Sequence, residues 1–426
     1  MSSTHVATKS VSLSAVSALN ASGTVSASTQ SGRGSQNFAA VIGTFTRAFE
    51  NGEITGEHHF PRRFSMALPT RAVLGLQSMK QAIDGLVVSM DENDAVDLSF
   101  MADLDVWGSL SARENSAFIT FVQYAVWAAV KVYSLRTKDA INGFRDEARA
   151  LLHAEPTHRD LIDASPSIYL KNTKNWALFK DRATGSLCFS IRGTATSSLD
   201  ALVDNMTNID ANAYETVQFD SGSEDAAPFH VHRGFLDVAQ AMYPAVKDLI
   251  TRTAAQSSGV LIFSGHSAGG GTAFLLYHLF RSRDAELFKQ FDAVHCITFG
   301  SAAIVSVPNP MESAGRSTDR IVSFVNLRDP VPRADLAYAL WVADSLGKYL
   351  TRVGKYLTRV GNKSNTPPYS PLPQQQLFPG GEMVLLDEDG EAAKLTPNVL
   401  QEQAFLDLRA HGKFEYMRAI QYIFGE

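Results

Sequence analysis

The stretch Gly265-His266-Ser267-Ala268-Gly269 decides the fold of this chain of 426 residues. The apolar run Val260-Leu-Ile-Phe263 comes directly before it and predicts a buried strand, and residues 272–283 predict a helix after it. G-x-S-x-G between a strand and a helix is typical of a nucleophile elbow, a turn so tight that the flanking side chains must be small. Such a turn exposes the serine hydroxyl above the sheet, close to the helix N-terminus. Ser267 is therefore the candidate nucleophile.

Apolar runs elsewhere predict more of the same sheet. Four of them indicate buried strands, at 176–179, 187–191, 294–299 and 321–325. The first two flank Asp181-Arg-Ala-Thr-Gly185, which predicts a hairpin with a glycine-closed turn. Apolar residues at helical spacing over 118–130 predict a buried helix. Because strands alternate with helices, we expect an α/β fold with a mostly parallel central sheet covered on both faces.

A serine hydroxyl needs a general base, and the base needs a carboxylate that orients it. In a fold with this elbow the chain order is serine, then acid, then histidine. Beyond Ser267 the sequence has three histidines, His278, His295 and His411. His278 lies inside the helix predicted at 272–283, directly after the elbow. His295 lies inside a predicted strand, so we expect it to pack in the core. His411 follows a predicted helix at 400–408 and opens a loop, which makes it the candidate base.

The acid is expected after the carboxyl end of a strand, where the loops of such a sheet meet. Asp329 follows the strand at 321–325 and precedes Pro330, which makes it the leading candidate. Asp335, in a predicted helix, is the alternative. Four further aspartates are placed less well, at the wrong end of that strand, in a helix or in a surface turn: Asp319, Asp344, Asp387 and Asp389.

Ester cleavage passes through an oxyanion, which backbone amides stabilise. The amide of Ala268, directly after the nucleophile, is one expected donor. The turn Ile191-Arg-Gly-Thr194 follows a predicted strand, and Thr194 offers an amide and a hydroxyl for the second. This chemistry implies no metal and no organic cofactor.

An amphipathic segment follows the predicted oxyanion turn. Four apolar residues fall at i, i+3, i+4 and i+7: Leu199, Leu202, Val203 and Met206. Ser197 and Asp200 are spaced as a capping box at its start. We expect a lid helix over the catalytic cleft, with an ordinary helix packed in the core as the alternative.

Taken together, these motifs resemble the class 3 lipases, the fungal-type triacylglycerol lipases of the α/β-hydrolase fold. The resemblance spans residues 116–426 and rests on six motifs in order: Ile191-Arg-Gly-Thr194, Val231-His-Arg-Gly-Phe235, Gly265-His-Ser-Ala-Gly269, Thr298-Phe-Gly300, Asp329-Pro-Val-Pro332 and His411. It implies that Ser267 is the nucleophile, Asp329 the acid and His411 the base. It also implies an oxyanion role for Thr194 and a lid at 198–206.

The resemblance implies a serine ester hydrolase that acts on acylglycerol-type lipid esters at a lipid–water interface. A phospholipase, an esterase for soluble or cell-wall esters, and a catalytically silent lipid-sensing or signalling scaffold stay open as alternatives. The chain departs from the family pattern at Ser301-Ala-Ala303, where a proline and a basic residue are usual. A second departure is an insertion at about 335–381, between the acid and the base.

Composition excludes several classes of protein. With 45% hydrophobic residues the chain can build a core, and its net charge of −6 argues against a nucleic-acid or anionic-membrane binder held by charge. Cys188 and Cys296 cannot form a disulfide framework. The sequence shows neither a secretory signal nor an uninterrupted apolar run of spanning length, unlike the well-known secreted lipases, which carry signals and disulfides. We expect a cytoplasmic location, with lipid-droplet or membrane-surface association open.

The remaining segments contribute no recognised chemistry. Residues 1–36 predict a disordered, Ser/Thr-rich tail, with a transit peptide as the alternative. Residues 37–115 predict a partly helical extension beside a lipase-like domain at 116–426. Inside the insertion, the sequence GKYLTRV occurs twice in succession, at 347–353 and 354–360. A duplication in a tolerant loop, or a helix that faces a membrane or a partner, would account for the repeat.

Overall fold

The structure is a computed structural model that describes part of the chain. It describes residues 112–135, 137–150, 159–165, 173–193, 214–217, 229–254, 259–308, 316–335, 337–338, 341, 372–387, 390–403, 405–407 and 409–425. With the exception of Trp341, these residues belong to one unit, Asp97–Ala339 together with Leu372–Glu426. The predicted tail, nearly all of the predicted extension, the lid and the repeat lie outside the described residues.

The described part of the chain contains seven α-helices and ten strands. The helices are α1 (Ala112–Lys131), α2 (Lys138–Ala150), α3 (Arg233–Ala254), α4 (Ala268–Arg283), α5 (Ala285–Phe288), α6 (Pro397–Glu402) and α7 (Lys413–Phe424). The strands are β1 (Arg159–Ser165), β2 (Trp176–Asp181), β3 (Leu187–Ile191), β4 (Tyr214–Val217), β5 (Phe229–His232), β6 (Leu261–His266), β7 (Val294–Phe299), β8 (Arg320–Asn326), β9 (Glu382–Leu386) and β10 (Ala392–Leu395).

Eight of the described strands form one sheet, in the order β1-β2-β3-β6-β7-β8-β9-β10, and β4 pairs with β5. The central pairings, from β3 through β6, β7 and β8 to β9, are parallel. The three outer pairings are antiparallel, including the predicted hairpin of β2 and β3. A mostly parallel sheet with helices on its faces confirms the predicted α/β class, and the fold is that of an α/β-hydrolase.

Side chains that alternate along the central strands supply two separate cores. Leu187 and Phe189 of β3 and Phe263 of β6 pack on the face that α3 and α4 cover. Cys188 and Ile262, one position along, pack on the opposite face against α1 and α7. The sheet is therefore buried on both sides, which explains why its strands read as continuous apolar runs in the sequence.

Helix α1 is long and apolar enough, by length and composition, to cross a membrane over Ser116–Ser134. Its buried side chains, among them Val122 and Ala129, belong instead to the core that α1 shares with α7. The hydroxyl of Ser264 in β6 also donates to the Ala125 carbonyl, at 3.2 Å. These contacts identify α1 as a core helix of this unit, as its helical spacing predicts.

The helix predicted at 400–408 is wrong in its bounds, because α6 spans Pro397–Glu402. The hydroxyl of Thr396 accepts from the amide of Val399 at 3.4 Å, and a proline occupies the first turn, so the helix begins earlier. At Gln403 the backbone is extended and the helix has ended. The segment before His411 is consequently a loop.

Candidate active site

Ser267 occupies the turn between β6 and α4. Its φ of 60° and ψ of −133° are rare for a residue with a side chain. The flanking glycines permit this turn, since a Cβ on Gly265 would meet the backbone of Gly269, and one on Gly269 would meet the Ile191 carbonyl. The predicted strand–turn–helix arrangement is confirmed. The prediction of an exposed hydroxyl is wrong, because Ser267 is 1% exposed and a Cβ on Gly193 would lie 3.0 Å from its Cβ.

Asp329 and His411 lie in direct contact, although 82 residues separate them in the sequence. Nδ1 of His411 is 2.9 Å from Oδ2 of Asp329 and 3.1 Å from Oδ1. Both residues are buried. Because an ionised carboxylate only accepts hydrogen bonds, the proton is assigned to Nδ1, which leaves the lone pair on Nε2. The contact therefore holds the ring in the tautomer that a general base needs.

A tyrosine to which no sequence motif pointed completes the surroundings of Asp329. The hydroxyl of Tyr416, in α7, donates to Oδ2 of Asp329 at 2.6 Å and accepts from the amide of Asn326 at 2.9 Å. The amide of Val331 donates to Oδ1 of Asp329 at 2.9 Å. Burial and the Asp329 charge raise the pKa of the Tyr416 phenol well above its usual value, so the phenol remains a donor. Donors from three residues thus replace the lost hydration of the carboxylate.

Gly300 ends the motif Thr298-Phe-Gly300, and its position explains why that motif requires a glycine. Its φ is +52°, a conformation that favours glycine, and its amide donates to the carbonyl of Phe324 at 2.9 Å. A Cβ at this position would lie 2.8 Å from the ring of Tyr416 and 2.9 Å from Oδ2 of Asp329. The missing side chain therefore leaves room for the contact between Tyr416 and Asp329.

Two buried polar atoms of the site have no hydrogen-bond partner, namely Oγ of Ser267 and Nε2 of His411. No hydrogen bond joins them in this structure. In enzymes without substrate such contacts are often long and tighten only when substrate binds. The ring of His411 stacks 4.6 Å from the ring of His266, the residue directly before Ser267, so the imidazole lies close to the nucleophile's turn.

Comparison with known proteins finds a similar family for part of the chain. Residues 188–338 match the family model described as Lipase (class 3). This part of the chain is similar to the class 3 lipases. The resemblance drawn from the motifs is thereby confirmed, and the match supports a lipase-type ester hydrolase. Ser267 and Asp329 lie inside the matched residues 188–338, whereas His411 lies beyond their end.

Several lipase structures are similar to the chain at low sequence identity. The native Rhizomucor miehei lipase propeptide complex is 16% identical over 71% of this chain and 80% of its own, with a TM-score of 0.41. A lipase from Rhizopus microsporus var. chinensis is 17% identical over 71% and 87%, with a TM-score of 0.42. Lip2 lipase from Yarrowia lipolytica is 18% identical over 55% and 79%, with a TM-score of 0.36. A comparison with curated proteins found no match.

His266, the variable position of the elbow motif, is buried. Its Nε2 lies 2.7 Å from the main-chain oxygen of His411, and its Nδ1 lies 3.0 Å from the hydroxyl of Tyr133. Burial first, and the charge of His411 second, hold the pKa of His266 well below its usual value. The sequence analysis gave His266 no role, and a histidine at the end of an otherwise apolar strand is the signal that could have found it.

The two less favoured candidates occupy structural positions. Asp335 does not lie in a helix as predicted. Its carboxylate accepts from the amides of Tyr338, three residues further on, at 2.9 Å and Gln376 at 2.6 Å, and so anchors a neighbouring segment. Burial raises its pKa. His295 lies in β7 with its ring centroid 5.2 Å from that of Phe118, which confirms the predicted core position.

The expected oxyanion donors are described in part. Ala268 is the first residue of α4, where an amide has no acceptor within its own helix. Thr194, and the predicted lid residues Leu199, Leu202, Val203 and Met206, lie outside the described residues.

Within the part of the chain that is described, no group of three or more histidines, cysteines, aspartates or glutamates is arranged to hold a metal ion.

Proposed function

We propose that this chain is a serine carboxylic-ester hydrolase, a lipase, that cleaves acylglycerol-type lipid esters through Ser267, Asp329 and His411. The observation that carries the proposal is the buried contact between Nδ1 of His411 and the carboxylate of Asp329. This contact lies beside the strained turn of Ser267, and it leaves Nε2 of His411 without a partner. The family match over 188–338 supports ester hydrolysis in general.

In the proposed acylation step, Oγ of Ser267 attacks the ester carbonyl carbon while its proton moves to Nε2 of His411. Asp329 stays ionised and stabilises the imidazolium through the Nδ1 proton. The carbonyl oxygen becomes an oxyanion, and the amides of Ala268 and Thr194 are the proposed donors to it. The bond to the leaving alcohol then breaks, and the alcohol takes the proton from Nε2.

In the proposed deacylation step, water attacks the acyl-enzyme and gives its proton to Nε2 of His411. The tetrahedral intermediate collapses, the bond between Oγ of Ser267 and the acyl carbon breaks, and Oγ takes the proton back. A carboxylic acid is released and the enzyme returns to its starting state. The cycle balances without a metal, an oxidant or an organic cofactor.

The substrate class rests on the family and on burial. Because Ser267 and His411 are almost fully buried, substrate access requires an opening motion. In lipases such an opening is coupled to a lipid surface, and the amphipathic segment that contains Leu199 and Met206 is the proposed lid. We therefore propose higher activity on emulsified long-chain esters than on soluble short-chain esters.

The test measures hydrolysis rates for wild type, Ser267→Ala, His411→Ala and Asp329→Asn on emulsified triacylglycerol and on a monomeric short-chain ester. We expect Ser267→Ala and His411→Ala to lose at least roughly 1,000-fold in kcat, and Asp329→Asn somewhat less. Near-normal turnover in any variant would show that its residue has the wrong role. A wild type that hydrolyses no ester would favour the silent scaffold.

Substrate preference separates the remaining alternatives. Wild-type activity restricted to soluble esters, without a rise at the interface, would favour an esterase. Preference for a phospholipid over a triacylglycerol at equal surface would favour a phospholipase. The cytoplasmic location, the boundaries at residues 36 and 115 and the insertion at 335–381 stay predictions, which imaging of the full chain and limited proteolysis would test.

A further inference from the structure

We propose that His266 is a positioning residue for the catalytic base, and that it acts through the main-chain carbonyl of His411. This inference deepens the proposed function and rests on it, because positioning matters only if His411 takes the proton of Ser267. His266 touches neither the scissile bond nor the expected path of the proton. Its effect on catalysis would arise through the peptide that carries the base.

The hydrogen bonds of His266 define one tautomer. A carbonyl oxygen only accepts, so Nε2 of His266, at 2.7 Å from the His411 oxygen, carries the proton and donates it. Nδ1 then keeps its lone pair and accepts from the hydroxyl of Tyr133, at 3.0 Å. Tyr133, directly after α1, thus selects the tautomer of His266 that holds His411.

The surroundings of His266 keep its ring neutral. It is 6% exposed, and its ring packs against that of His411 at a tilt of 32°; the ring of His411 must become an imidazolium during the reaction. A second positive charge 4.6 Å away would oppose that step. Burial, the His411 charge and Lys413 all lower the pKa of His266, so the ring offers a donor without a competing charge.

The segment that carries the base needs such support, because its described residues between α6 and α7 form neither helix nor strand. Two other buried side chains donate to its carbonyls, Tyr338 to Phe405 at 2.6 Å and the Asn326 amide to Ala410 at 2.8 Å. His266 donates to the carbonyl of the base itself. Because His266 also precedes Ser267 in the chain, this bond fixes the separation between the base and the nucleophile.

The experiment compares His266→Leu, His266→Gln and Tyr133→Phe with wild type in steady-state ester hydrolysis. For His266→Leu we expect kcat to fall roughly 10- to 100-fold, with KM within about threefold of wild type. His266→Gln retains an amide donor near Nε2 and should recover to within about fivefold of wild type. Tyr133→Phe should lower kcat alone, and should add nothing in the His266→Leu background because it acts through His266.

Tyr338→Phe is the matched control. It removes another buried hydrogen bond to the same loop, six residues before the base, so it should lower Tm while kcat stays within about twofold of wild type. A second readout is the downfield ¹H NMR signal of the Nδ1 proton between His411 and Asp329. We expect this signal to be sharp in wild type, His266→Gln and Tyr338→Phe, and broadened or lost in His266→Leu.

The outcomes distinguish a failure of the positioning role of His266 from a failure of the proposed ester hydrolysis. If folded His266→Leu keeps the wild-type kcat and the wild-type NMR signal, or if Tyr338→Phe lowers kcat as much as His266→Leu does, the positioning role is wrong. Equal losses in His266→Gln and His266→Leu would also overturn it. A wild type that fails to hydrolyse esters would overturn the proposed function instead, and that failure is visible before any variant is made.

Discussion

Asp329 is a fully buried carboxylate, and its hydrogen bonds decide whether His411 can work. Removing one donor leaves part of a buried charge without compensation, which costs more than the loss of a neutral hydrogen bond. The Tyr416 hydroxyl is the donor that a conservative substitution removes most cleanly, because Tyr416→Phe preserves the ring that packs beside Gly300.

We predict that Tyr416→Phe loses about 1.5–3 kcal/mol from the interactions of Asp329, and that kcat/KM falls roughly 10- to 100-fold. The matched control is Tyr422→Phe in the same helix, since that side chain is 72% exposed. The control should keep wild-type kinetics and stability. Equal kcat/KM values for the two variants, measured with a soluble ester, would contradict the role assigned to the hydroxyl of Tyr416.

The sequence was sufficient to predict some residues of the site but not others. Chain order, strand ends and the scarcity of histidines after Ser267 were enough to propose Asp329 and His411, and the structure brings those two side chains into contact. The same reasoning could not find Tyr416, because one tyrosine in an amphipathic helix looks like any other core residue. Its role depends on the approach of α7 to the loop after β8, a packing relationship that local patterns do not encode.

At the scale of elements, the elbow depends on the close approach of β3 to the first turn of α4. Small residues at that turn let the helix N-terminus approach the strands. A Cβ on Gly269 would meet the Ile191 carbonyl at the end of β3 and the backbone of Arg192. A Cβ on Gly143, in α2, would meet no atom within 4 Å.

These two helical glycines form a matched pair for substitution by alanine. Alanine is favoured over glycine inside a helix by about 1 kcal/mol, so Gly143→Ala should stabilise the protein by up to that amount. Gly269→Ala should destabilise it by about 2 kcal/mol or more and abolish hydrolysis, because β3 and α4 must separate. Urea unfolding and ester hydrolysis are the measurements. Stabilisation by both substitutions would contradict the packing described.

Element boundaries show the limit of local patterns. The strands β2, β3, β6, β7 and β8 and the hairpin were predicted from apolar runs and a turn, because buried strands of such a sheet are apolar throughout. The strands β1, β4, β5, β9 and β10 were not predicted. The helix predicted at 400–408 was misplaced, since its apolar residues serve a loop whose carbonyls bind side chains from elsewhere. Tyr338, for example, donates to Phe405. Such contacts join residues that are far apart in the sequence, and they produce no periodic pattern of apolar residues.

At the scale of the whole molecule, buried histidines link stability to pH. Burial, as the first cause, lowers the pKa values of His278 and His295 to about 3, and it lowers that of His266 as well. The folded protein holds these rings neutral, whereas the unfolded chain protonates them below about pH 6.5. Because the unfolded state then binds more protons, the contribution of these rings to stability is constant above that pH and falls as the pH drops towards 3.

We predict that the free energy of unfolding decreases between pH 7.5 and pH 5 by about 2 kcal/mol for each such histidine. His295→Gln should reduce this decrease by about the same 2 kcal/mol, because glutamine does not titrate and can still accept from the Arg320 amide. Urea unfolding at the two pH values is the measurement. An unchanged pH dependence in His295→Gln would show that the ring is not held neutral.

The covalent intermediate tests the central claim most directly, because no silent lipase-like scaffold would form it. In rapid-mixing experiments with a chromogenic ester, wild type should release a burst of alcohol equivalent to its active sites, and mass spectrometry should place the acyl group on Ser267. His411→Ala should show no burst. A wild type that releases no burst, or that carries the acyl group on another residue, would contradict the assignment of Ser267 as the nucleophile and His411 as its base.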